Sequence, residues 1–149
     1  MFDLRNALLL CIAGFMGGCA VNSVEKAGGV STASTYALQE QEIRGFESKA
    51  EAGSADAALR LWLYYNFSAY DNAKRQVYLR RAAELGNAHA QFNLAVELTD
   101  NPAVRDLDQA ESWLAKADKG GQVGDEDFPD LVSPLRKRID ELRRHAQGK

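Results

Sequence analysis

The chain has 149 residues, and few of its side chains could carry covalent or acid-base chemistry. Its two histidines, His89 and His145, stand far apart in the sequence, and its two cysteines, Cys11 and Cys19, both lie near the N-terminus. A zinc site needs three or four ligands, and neither histidine has a cysteine or a second histidine at ligand spacing. The sequence contains no HExxH helix, no serine set in a strand-turn-helix elbow and no glycine-rich phosphate loop. No metal, no cofactor and no enzymatic activity are therefore expected. His89 reads as a polar residue in the first turn of an exposed helix face.

Cys19 is the exception, because of what precedes it. Arg5 is followed by the apolar run ALLLCIAGFM at residues 7 to 16, ten residues long. A bilayer span needs about 20 apolar residues, so the run suits a secretory signal peptide better than a transmembrane helix. Met16-Gly17-Gly18-Cys19 resembles a bacterial lipobox, in which small residues precede a cysteine whose sulfur receives diacylglycerol before cleavage. An ordinary signal peptide with an incidental cysteine is the alternative. Cys11 would be removed with residues 1–18, so the mature chain could form no internal disulfide, and acylation would consume the thiol left over. Ala20 after the cysteine implies, by the same resemblance, transfer to the outer membrane of a Gram-negative envelope, facing the periplasm. Residues 19–35 are small and polar around Gly28-Gly29 and read as a tether spanning on the order of 20 to 24 Å.

The helical region, residues 36–149, is built on a repeat. KAEAGSADAALRLWLYY at 49 to 65 aligns without a gap on AAELGNAHAQFNLAVEL at 82 to 98, matching Ala50 with Ala83, Gly53 with Gly86, Ala57 with Ala90 and Leu61 with Leu94. A partial third copy follows at Ala117 and Gly120. Gly53, Gly86 and Gly120 are 33 and 34 residues apart, a period typical of stacked helix-turn-helix units. A glycine just past a helix C-terminus supplies positive φ at little cost, and Ser54 or Asn87 directly after it can cap the next helix. The spacing predicts helix pairs at 56–65 with 72–85 and 88–98 with 107–119. A helix from Tyr36 to Ala52 would cap the N-terminal end. The segment QVGDEDFPD breaks the period, and a helix from 131 to 146, with Leu131, Leu135, Ile139, Leu142 and Ala146 on one stripe, would cap the other end.

Residues 78 to 121 resemble the Sel-one-like repeat, a branch of the tetratricopeptide class. The matching residues are AAELG, NAHAQFNL, Val104, Asp106, Ala110, Trp113, Ala117 and Gly120. Ala95 stands where the family usually has glycine, and Lys116 where it usually has alanine. The resemblance implies an all-α fold, a short α-solenoid of antiparallel helix pairs with N- and C-terminal capping helices. It further implies that the first helix of each pair lines a concave side that holds a peptide or another protein.

On those first helices the alignment superposes Asp56, Arg60 and Tyr64 on His89, Asn93 and Glu97, each set at i, i+4, i+8 and expected to face away from the core. These six are the predicted partner-binding residues. Trp62 and Tyr65 fall on the buried stripe, leaving Tyr64, Phe67 and Tyr70 as possible anchors. With a net charge of −3 and a sequence pI near 5.4, the chain lacks the basic footprint of a nucleic-acid binder. The composite expectation is a monomeric, membrane-anchored lipoprotein scaffold serving envelope assembly or secretion. The alternative is an immunity or inhibitor protein acting on a toxin or secreted enzyme in the periplasm.

Overall fold

The computed structural model describes residues 31–120 and 128–148, all of whose regular structure is helical. The signal segment 1–18, Cys19, the tether as far as Val30 and the acidic stretch 121–127 lie outside the described residues. The helices are α1 (Thr32–Tyr36), α2 (Glu40–Glu51), α3 (Ala55–Phe67), α4 (Asn72–Glu84), α5 (Ala88–Asp100), α6 (Leu107–Gly120) and α7 (Phe128–Gln147). From α2 onward each helix packs on the next in chain order, α1 lies on α3, and α7 also reaches α5.

The joins between α2 and α3 and between α4 and α5 are the same local structure. Gly53 has φ 97° and Gly86 has φ 95°, the left-handed region that closes a helix C-terminus. Gly86 N donates to Ala83 O at 3.1 Å and Asn87 N to Ala82 O at 3.0 Å; at the earlier join Gly53 N bonds Ala50 O and Ser54 N bonds Lys49 O. These are paired Schellman bonds, which satisfy carbonyls the helix leaves without partners. Ser54 then accepts from Ala57 N at 3.3 Å and Asn87 from Ala90 N at 2.9 Å, capping the next helix. Asp71 caps α4 by accepting from Lys74 N, and Asp106 caps α6 by accepting from Gln109 N.

Gly120 departs from this scheme. It is the last residue of α6 and has no positive φ, and a Cβ there would meet the Ala88 Cβ at 3.4 Å. Its counterpart is a close approach of α6 to the start of α5, not a left-handed stop.

The core runs through the helices as one cluster in which alanine is the commonest residue. The repeat-matched alanines Ala50, Ala83 and Ala117 are all buried, as are Ala57 with Ala90 and Leu61 with Leu94. Small side chains at matched positions let helix axes approach closely, and Leu61, Leu79, Leu114 and Ile139 fill the space between them. Two buried polar groups are satisfied locally: Gln91 Nε2 donates to Ala83 O at 3.0 Å and Thr99 Oγ1 to Ala95 O at 2.7 Å.

Both ends differ from the sequence reading. The last residues of the expected tether form α1, capped by Ser31, and the expected helix from Tyr36 is interrupted by an extended joint at 37–39 before α2 begins. At the other end α7 starts at Phe128 and includes Pro129, because a proline in the first helical turn forfeits no intrahelical bond. The buried stripe of α7 is Val132, Leu135 and Ile139; Leu131 is 48% exposed and Ala146 is exposed. Arg136 and Arg143 turn onto α6. Arg136 pairs with Glu111 and Asp118, and Arg143 with Asp108 at 2.8 Å while also donating to Leu107 O.

Candidate functional site

The sequence places its candidate residues on α3 and α5, and between those helices the structure opens a cleft of about 440 Å³. Trp62, Asn66 and Phe67 of α3 form one wall, Asn93, Val96 and Asp100 of α5 with Asn101 the other, and Arg75 and Leu79 of α4 complete the lining. The walls arise from helical spacing, since Trp62 and Asn66, like Asn93 and Glu97, are four residues apart and share a face. Two aromatic rings and three amides make up half of the lining, beside the charged Arg75, Glu97 and Asp100. Amides both donate and accept, and aromatic rings bury large areas with few torsions, a combination suited to recognising polypeptide.

The six predicted residues have diverse surroundings. Asn93 lines the cleft and donates from Nδ2 to His89 O at 2.7 Å. Glu97 also lines the cleft, but it does not face away from the core: its side chain is 13% exposed and accepts from Arg75 Nη2 at 2.9 Å. Arg60 donates to the carbonyls of Tyr36 and Ala37 instead of standing open on α3. Tyr64 is half-buried and meets Tyr65 edge-on at 4.9 Å. Asp56 accepts from Asn87 Nδ2 at 3.3 Å, tying the start of α3 to the cap of α5. His89 is exposed in the first turn of α5. Asn93 and Glu97 thus share the cleft, whereas Asp56, Arg60, Tyr64 and His89 lie outside its lining.

Sequence reasoning missed Asn66, Val96 and Asn101 as cleft residues. The signal was available only in part: Asn66 follows Trp62 by one helical turn, but a groove between two helices that begin 33 residues apart in sequence has no local pattern. Among the possible aromatic anchors, Phe67 is in the cleft wall, stacked on Tyr36 at 5.1 Å, whereas Tyr70 is 71% exposed in the α3–α4 turn at φ 54°. Trp62 and Tyr65 are buried, as expected, and the Trp62 indole N–H has no acceptor among the described residues.

A second cleft, of about 390 Å³, lies on the far side of α4 and is lined by Ala73, Gln76, Val77, Arg80 and Val104, with Glu97 common to both. Here Val77 is 62% and Val104 41% exposed. Behind it, α3 and α4 are joined by parallel stacking of Tyr65 on Tyr78 at 5.5 Å. Burial, reinforced by the neighbouring Glu47 carboxylate to which it donates at 3.3 Å, pushes the Tyr78 phenol up to about 12. Lys74 is raised as well, by its hydrogen bond to the Tyr65 hydroxyl, and Asp106 is lowered by the Gln109 backbone and side-chain donors at its cap. All three shifts follow from structural contacts and none lies in the α3–α5 cleft. Among the described residues no group of three or more His, Cys, Asp or Glu is placed to hold a metal. No described helix is long and apolar enough to cross a membrane.

Over the described residues the fold is all-helical, with successive helices packed on one another. No family model matches the chain, and no solved structure matches it. Over 97 residues the chain is 36% identical to a protein of Escherichia coli strain K12 described as "Uncharacterized protein YibG", an alignment covering 62% of this chain and 63% of that protein. The chain spans less than two thirds of that relative's length.

Proposed function

We propose that the chain is a membrane-anchored lipoprotein scaffold of the bacterial envelope, folded as a short α-solenoid, that binds another protein or peptide in the cleft between α3 and α5 and catalyses no reaction. The observation that carries the binding role is the cleft itself, about 440 Å³ lined by Trp62, Phe67 and three asparagines. The solenoid reading is supported by the recurrence of one join at Gly53 and Gly86 and by the burial of repeat-matched alanines. In such an array α3 with α4 and α5 with α6 are the antiparallel pairs, α2 and α7 are the end caps, and the α3–α5 side is concave. Anchoring rests on the sequence alone, through acylation of Cys19. The reading places the protein at the outer membrane facing the periplasm, in envelope assembly or secretion.

Site-specific photo-crosslinking in cells tests the binding role, with benzoylphenylalanine replacing Asn93 or Asn101 and, as a control on the second cleft, Val77. Discrete adducts are expected from the first two positions and not from Val77. Adducts confined to Val77 would move the binding surface to the other side of α4, and the adduct's identity separates an assembly partner from a toxin or secreted enzyme. For the anchor, Cys19→Ala should leave the protein uncleaved or in the soluble fraction. Persistence of the variant in salt-washed outer membranes would sink the lipobox reading.

A further inference from the structure

Residues 36 and 37 lie against α3 in the manner of a bound ligand. Arg60 donates from Nη1 to Tyr36 O at 3.1 Å and from Nη2 to Ala37 O at 3.3 Å, and its guanidinium carbon lies 5.9 Å from the centre of the Tyr36 ring. The same ring stacks on Phe67 at 5.1 Å with 29° between planes. Ala37, at φ −56° and ψ 144°, and Gln39, at φ −74° and ψ 154°, have polyproline-like backbone, so an extended joint follows the ring. Everything Arg60 and Phe67 recognise here is a main-chain carbonyl or an aromatic face, groups that a second polypeptide can offer equally well.

The attachment is also shallow. None of the residues of α1 is buried, the helix is a single turn and a half, and only Leu38, beyond it, packs half-buried on the core. Phe67 is shared: it holds Tyr36 on one side and belongs to the cleft wall on the other, where it meets Trp62 edge-on at 6.2 Å. A ligand extending along the cleft toward Arg60 meets the Tyr36 ring first.

The geometry points to a displaceable strap: residues 31–37, ahead of Leu38 on the core and Gln39 at the cap of α2, are an intramolecular ligand that covers Arg60 and the outer face of Phe67, and a partner peptide bearing an aromatic residue followed by an extended segment takes their place. This inference rests on the cleft being the partner site. It explains why Arg60, the one arginine of α3, is engaged within its own chain. The strap also joins the folded helices to the tether, so its release lengthens the leash at the moment a partner binds.

The test uses the full chain in detergent micelles and a blocked synthetic peptide of residues 31–39, STASTYALQ, followed by nuclear magnetic resonance at the Phe67 amide and the Trp62 indole. A Tyr36→Ala chain, whose own strap is weakened, should bind the peptide saturably. The wild type should bind it at least about tenfold more weakly, because a strap tethered in cis acts at an effective concentration in the millimolar range. Adding Arg60→Ala to the variant, or replacing the peptide's tyrosine by alanine, should abolish binding. Equal binding by wild type and variant, or no binding by the variant, overturns the strap. The wild type supplies a second measurement by hydrogen exchange. The Thr35 amide, bonded to Ser31 O, should exchange at least about 100-fold faster than that of Ala58, bonded to Ser54 O, since a strap opens without unfolding the core. Equal protection would make α1 an integral part of the fold and end the proposal. Neither measurement needs the natural partner, so failure here is distinguishable from failure of the crosslinking experiment.

Discussion

At the scale of single residues, the same substitution should have opposite signs at two glycines. Gly86 has φ 95°, where a Cβ costs roughly 1–2 kcal/mol, although no neighbouring atom lies within 4 Å of that Cβ. Gly45 lies inside α2 with helical backbone and open space around it, so there alanine only restricts the unfolded chain and improves helix propensity. Urea denaturation of Gly86→Ala should show destabilisation of about 1 kcal/mol or more, and Gly45→Ala stabilisation of up to about 1 kcal/mol; a matching sign at both would refute the conformational account. Tyr78 gives a pH prediction. The folded phenol keeps its proton to about pH 12, whereas an unfolded tyrosine ionises near 10. Between these values unfolding releases a proton, so stability that is complete below pH 10 falls as the pH rises toward 12. Melting temperatures of Tyr78→Phe should decline less over that window, and an unchanged slope would show that another group governs it.

At the scale of elements, polar side chains often act as fasteners between helices. Arg75 of α4 and Glu97 of α5 form a half-sheltered ion pair, with side-chain exposures of 22% and 13%. Truncating one partner leaves the other charge poorly solvated, which costs about 1–3 kcal/mol. Glu97→Ala should therefore destabilise the fold by that amount, and a double-mutant cycle with Arg75→Ala should return a coupling between about 0.5 and 3 kcal/mol. A coupling near zero would release Glu97 for the partner-binding role that its position at i+8 from His89 suggested. Two basic residues of α7 act in the same way. Arg136 and Arg143, seven residues apart on one face, bond to α6, whereas Arg138, 3.6 Å from Asp100 of α5, stays exposed.

At the scale of the whole molecule, each helix depends on its sequence neighbours for cover, because contacts run mainly from one helix to the next. A chain stopped after Gly121 would lose Val132, Leu135 and Ile139, all of them buried, and uncover the side of α6 on which they pack. Light scattering should show that truncation aggregating. A fragment of residues 31–149 should remain monomeric and almost wholly helical by circular dichroism, and appreciable strand content would overturn the all-α assignment.

The parts legible in the sequence were those set by neighbours within a few residues. Helix limits from α3 to α6, the stops at Gly53 and Gly86 and the caps at Ser54 and Asn87 depend on bonds spanning three to five residues, and residue type states them directly. Repetition then doubled the signal by matching Ala50, Ala57 and Leu61 with their partners, all of which are buried. Tertiary structure decided what the polar residues do. Arg60 reaches carbonyls 23 and 24 residues away, and Glu97 meets an arginine 22 residues away, so the spacing within α3 or within α5 could not reveal which element would lie against either residue. It also decided the face of α7, where Leu131 and Val132 are equally apolar in sequence and differ only in which one α6 covers. Gly120 shows the same limit from the other side: its spacing copies Gly86, but the approach of α6 to Ala88, not a left-handed turn, is what surrounds it.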